Sequence, residues 1–123
     1  MSNYETIVGF EGVYLEDSWV LGVHLEPGLA VLEVDVVLTE SHPQYTAPSA
    51  GEQFCYRRAQ IRFEEVSSVC WTGQGLVKAA VDATGERDFG SIDEFEVDGD
   101  SFSLEGDFGR LEIESRRPGL HLL

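Results

Sequence analysis

Residues 32–38 read Leu-Glu-Val-Asp-Val-Val-Leu, with Leu32, Val34, Val36 and Leu38 at every second position and Glu33 and Asp35 between them. Successive side chains of an extended strand point to opposite faces, so this spacing describes a strand with one face in a core. The same period of two runs along most of the chain, and no segment holds a helical period over a dozen residues. An amphipathic helix needs apolar residues three and four apart; without them the architecture is all-β.

Turn chemistry divides the alternation into strands. From Ser18, SWVLGVHLE sets Trp19, Leu21, Val23 and Leu25 on one face and Val20, Gly22 and His24 on the other. Glu26-Pro27-Gly28 then turns the chain into AVLEVDVVLT, and the two segments predict a hairpin. In FCYRRAQIRFEEV, Cys55, Arg57, Ala59, Ile61 and Phe63 share a face; Phe54, Tyr56, Arg58, Gln60 and Arg62 share the other, which mixes aromatic and cationic groups. SSVCWTG is a short strand with Val69 and Trp71 on one side, while LVKAAVDATG fits a helical turn or another short strand. Asp98-Gly99 and Gly106–Gly109 are tight-turn signals that join three strands and set Phe102 and Leu104 opposite Leu111 and Ile113. LHLL closes the chain as an edge strand. The expectation is one all-β domain over residues 1–123, a barrel or rolled sandwich of about eight or nine mostly antiparallel strands. A chain of 123 residues is long enough for a single hydrophobic core.

Charge narrows the choice of partners. There are 23 acids against 8 bases, a net charge of −15, and no Lys or Arg precedes Arg57. A second base-free window runs from Asp88 to Gly109. Such a surface repels phosphate, which argues against nucleic acid and anionic membranes as partners. No apolar run approaches the roughly 20 residues of a membrane span, and the first residues lack a secretory signal, so the cytoplasm is the expected compartment. A basic protein surface is the complementary partner, with Asp93, Glu94, Asp98, Asp100 and Asp107 as candidate contacts. The plainer alternative is a solubility charge.

Cys55 and Cys70 are read as two buried, reduced side chains. No Cys/His set has zinc spacing, and Asp98, Asp100, Glu105 and Asp107 do not follow a calcium-loop spacing, so neither metal nor cofactor is expected. No nucleophile elbow, glycine-rich phosphate loop or H-E-x-x-H is present, which points away from an enzyme.

The segment Glu40–Gln53 is longer than a hairpin connection needs, and long loops often carry function. His42, Tyr45 and Glu52, with Tyr56, Arg58, Arg62 and Trp71 nearby, are the candidate small-ligand residues. The alternative is a crossover that Tyr45 and the prolines pack down, with Arg57 or Arg58 paired to Glu33 or Asp35.

The stretch LTESHPQYTAPSAGEQFCYRRAQIRF, then WTGQG and FEVDGDSFSLEGDFGRLEIE, resembles a group of small bacterial all-β proteins of unassigned function. The resemblance implies a bacterial β-domain and no particular activity. The leading expectation is a non-enzymatic protein-binding module, in one version an immunity-type inhibitor covering a basic toxin cleft. The alternative is a small-ligand-binding β-barrel with residues 40–53 as a lid, and a third is turnover by His42 with Glu52. A homodimer through LHLL is a further expectation.

Overall fold

In the C-terminal third, Gly99 takes φ +61° between two strands that alternate buried and exposed residues. β8 (Ile92–Asp98), β9 (Ser101–Gly106) and β10 (Gly109–Glu114) form the expected meander, with Leu104 opposite Leu111 and Phe102 opposite Ile113. The structure is a computed structural model and describes residues 2–7, 9–48, 55–73, 80–81, 87–88 and 90–123. The other strands are β1 (Ser2–Asn3), β2 (Val13–Glu26), β3 (Leu29–Leu38), β4 (Cys55–Glu64), β5 (Ser68–Thr72), β6 (Ala80–Val81), β7 (Arg87–Asp88) and β11 (Gly119–Leu122).

Two antiparallel sheets carry the fold, one of five strands in the order β1-β8-β9-β10-β5 and one of four in the order β11-β4-β3-β2. We call them the first and second sheets. β6 and β7 pair with each other. The segment 76–85, which the sequence leaves open between helix and strand, lies outside the described residues apart from Ala80 and Val81.

The sheets are stitched where the chain passes between them. β4 leads to β5 through Glu65–Ser67, and Glu65 takes φ +52° to make the corner. β10 leads to β11 beside it; the Ser67 amide donates to the Glu114 carbonyl at 2.8 Å and the Arg116 amide to the Glu64 carbonyl at 3.1 Å. Non-local antiparallel pairing of this kind satisfies backbone groups that the corner would otherwise leave bare.

Inward side chains of both sheets form one core. Tyr4, Phe10, Phe63, Phe95 and Phe102 run through it with neighbouring ring centroids 5.6–6.4 Å apart. Each buried aromatic or branched side chain contributes about 1.5–3 kcal/mol, so this filled layer is the main source of stability. Tyr4 keeps its hydroxyl satisfied by donating to Glu16 Oε2 at 3.0 Å and accepting from the Leu15 amide at 3.1 Å.

β2 departs from the simple alternation. Its register with β3 shifts between Tyr14 and Trp19 and again between Val20 and Gly22. Val20 therefore faces the core opposite Val34, and Trp19, opposite Asp35, faces outward and is 42% exposed. This corrects the face assigned to Trp19 with Val23. At the first shift the buried Ser18 hydroxyl donates to the Tyr14 carbonyl at 2.8 Å and accepts from the Val37 amide at 2.9 Å. It supplies the bonds that the interrupted ladder omits.

The cysteines also separate. Cys55 is buried on the inner face of the second sheet, but Cys70 is exposed on the outer face of the first. It shares that face with Ser68 and Thr72, because Val69 and Trp71 take the inward positions opposite Ile113 and Leu111. This corrects the reading of Cys70 as buried.

Candidate functional site

The outer face of the first sheet is built from the alternate positions that the core does not use. Glu94, Glu96 and Asp98 project from β8, Ser101, Ser103 and Glu105 from β9, Arg110, Glu112 and Glu114 from β10, and Ser68, Cys70 and Thr72 from β5. The register arranges them in rows: Glu96–Ser103–Glu112–Cys70 and Asp98–Ser101–Glu114–Ser68. Neighbouring strands are about 4.8 Å apart, so the β8 and β10 carboxylates stand in two ridges roughly 10 Å apart with the short serines between them. The resulting trough has a volume of about 300 Å³, and its walls include Glu96, Asp98, Glu112 and Glu114.

Among the described residues Arg110 is the one cation on this face, and it is already engaged. It reaches Glu112 and Glu105, each at 3.0 Å. The hydrogen bond it donates to Glu112, then the charges of Glu112 and Glu105, hold its guanidinium above the usual range. Glu94, Glu96, Asp98 and Glu114 form no ion pair among the described residues. Chemically the face can accept hydrogen bonds from guanidinium or ammonium groups, each carboxylate offering two oxygens. Among the described residues no group of three or more His, Cys, Asp and Glu side chains is placed to hold a metal ion.

Of the partner candidates read from the sequence, Glu94 and Asp98 lie on this face. Asp93 sits beside it at a register shift in β8, accepting from the Ser91 hydroxyl at 3.2 Å. Asp100 is at the turn, where it lines a neighbouring hollow with Glu65, Arg116 and Arg117. Asp107 packs over Gly90 at the far turn, away from the trough. Sequence reasoning missed Glu96, Glu112 and Glu114 as site residues. Their shared parity with Glu94 and Asp98 was the available signal, but the ridge-and-floor arrangement depends on register.

The small-ligand candidates are dispersed. His42 belongs to a turn: its amide donates to the Thr39 carbonyl at 2.9 Å, and its Nδ1 accepts from the Gln44 amide at 3.0 Å. Tyr45 packs against the core and walls a hollow of about 320 Å³ that also touches Tyr14, Val37, Pro48 and Cys55. Tyr56, Arg58 and Arg62 share the outer face of the second sheet, where Arg58 stands opposite Asp35 and Arg62 donates to Gln60 Oε1 at 3.4 Å. Trp71 lies on the inward side of the first sheet, its Nε1 donating to the Phe108 carbonyl at 2.8 Å. It therefore joins no cluster with Tyr56 and Arg58. Glu52 lies outside the described residues.

Compared with models of protein families, with curated proteins and with solved structures, the chain matches none.

Proposed function

We propose that this chain is a non-enzymatic protein-binding module of the bacterial cytoplasm, a rolled β-sandwich whose acidic trough receives basic side chains of a protein partner. An immunity-type inhibitor that occupies a basic cleft of its target is the specific form this takes. The observation that carries the reading is the pair of carboxylate ridges, Glu96 with Asp98 and Glu112 with Glu114, held on either side of a serine floor. Solubility asks for charge anywhere on the surface. It does not ask for like charges concentrated on one pleated face, where they repel. Complementary charge across an interface raises the association rate and selects the partner.

Titration of the isotope-labelled protein with an arginine-rich peptide, followed by amide and side-chain NMR, tests the reading. Shifts should concentrate on Glu96, Asp98, Ser101, Ser103, Glu112 and Glu114 and fade with added salt. Shifts spread evenly over all exposed acids, including Glu11, Glu26 and Glu40, would reduce the face to a solubility charge.

The hollow beside Tyr45 supports a second reading, an apolar small-molecule site walled by the loop after β3. Among the described residues this hollow lies at the margin of the aromatic core, with Tyr45 and Cys55 between them, so a ligand there would sit against the core rather than within it. Saturable binding of a hydrophobic dye that Tyr45→Ala abolishes would favour this reading; dye binding unchanged by the substitution would remove it.

A further inference from the structure

The acidic face ends at β5, and this edge strand differs from the other sheet edges. A bare edge invites pairing with another chain, and proteins guard against it with charges, prolines, bulges or very short strands. β1 has only two residues, β2 carries register shifts, and β11 is four residues long and follows Pro118. β5 reads Ser-Val-Cys-Trp-Thr, with no charge and no proline, and its register with β10 runs unbroken from Ser68 to Thr72. Among the described residues no strand lies on its far side.

Val69 is the second observation. It occupies an inward position opposite Ile113, which is 1% exposed, yet Val69 itself is 39% exposed. The core thus reaches the edge strand and ends there with an apolar side chain half uncovered. The third concerns the outward positions. Ser68, Cys70 and Thr72 are short, so no bulky group stands between the edge and the β10 carboxylates. A strand added beside β5 would lie two strand spacings, about 9–10 Å, from β10. A lysine or arginine side chain on that strand spans the gap to Glu112 or Glu114.

We propose, resting on the basic-partner reading above, that the partner docks by adding an extended segment to the open edge of β5, its basic side chains alternating with apolar ones. The apolar set covers Val69 and continues the core. The basic set crosses Ser68 and Cys70 to Glu112 and Glu114, where the trough begins. Main-chain hydrogen bonds along β5 supply affinity, and the alternation supplies selectivity, because a slip of one residue would swap the two sets.

Two peptides of one composition test this: one alternating lysine and valine, the other with all lysines preceding all valines. Affinity is measured at fixed salt, and amide hydrogen exchange is followed along β5. The alternating peptide should bind at least about tenfold more tightly, and it alone should slow exchange at Val69, Cys70 and Trp71. Val69→Lys, a substitution at an already half-exposed site, should erase the difference while leaving the block peptide's binding. Equal binding of the two peptides, with β5 exchange unchanged, would overturn strand addition and leave the acidic-face reading standing. Binding of neither peptide would overturn both.

Discussion

A surface that crowds like charges for the sake of a partner should be more stable without them. The triple substitution Glu96→Gln, Asp98→Asn and Glu114→Gln removes three carboxylates that have no ion pair among the described residues. Along β8 and β10 the alternate carboxylates are about 7 Å apart, and across β9 about 10 Å. In water each such pair repels by roughly 0.4–0.6 kcal/mol, and 0.15 M salt reduces this by more than half. The five pairwise repulsions removed amount to about 1 kcal/mol at that salt and about 2–3 kcal/mol at very low salt. For a chain of this length, 1 kcal/mol corresponds to a rise in Tm of roughly 3–5 °C. Thermal unfolding followed by circular dichroism, at both salt concentrations, reads the effect directly. The triple variant should melt higher than the parent, by a wider margin at low salt. A Tm that falls, or one that ignores salt, would mean that these carboxylates hold the fold together, and the reasoning from crowding would fail.

Other substitutions probe what positions the face. Ser18→Ala leaves the Val37 amide without its buried hydroxyl partner and should cost about 1–3 kcal/mol, seen as a lower midpoint in urea. An unchanged midpoint would show that the ladder closes without the serine. Gly109 takes φ +106°, and a Cβ there would run into the Thr72 carbonyl, so Gly109→Ala should cost roughly 1–3 kcal/mol and speed amide exchange in β5 first. Arg110→Gln removes the face's own cation and should tighten arginine-peptide binding about two- to fivefold, the scale of an exposed pair. Weaker binding would instead make Arg110 an organiser of the carboxylates it bridges.

How much of this was legible depends on how local the signal was. The β8–β10 meander could be read outright, since Asp98-Gly99 and strict alternation act within a few residues. Tyr56, Arg58 and Arg62 were placed on one face for the same reason. The face of Trp19 could not be read. Trp19, Val20, Leu21 and Val23 are all apolar, and two register shifts decide which of them the core takes. Cys70 was misjudged because residue type suggested burial, whereas parity with Ser68 and Thr72 put it outside. Choosing acids by density favoured Asp100 and Asp107, which belong to turns. The ridges themselves lie within the local β8–β10 meander, but the pairing that places Ser68 and Cys70 beside them joins β5 to β10 across 38 to 46 residues, and that contact is set by the packing of the whole core.

Zero-length carbodiimide cross-linking in the host lysate tests the central claim most directly, since it joins a carboxylate to a lysine only when the two form an ion pair. Links should run from Glu96, Asp98, Glu112 and Glu114 to lysines of one protein, and in the triple variant, which keeps Glu112, only a weakened link from Glu112 should remain. Links scattered over Glu11, Glu26, Glu40 and the turn aspartates, or to many unrelated proteins, would contradict it.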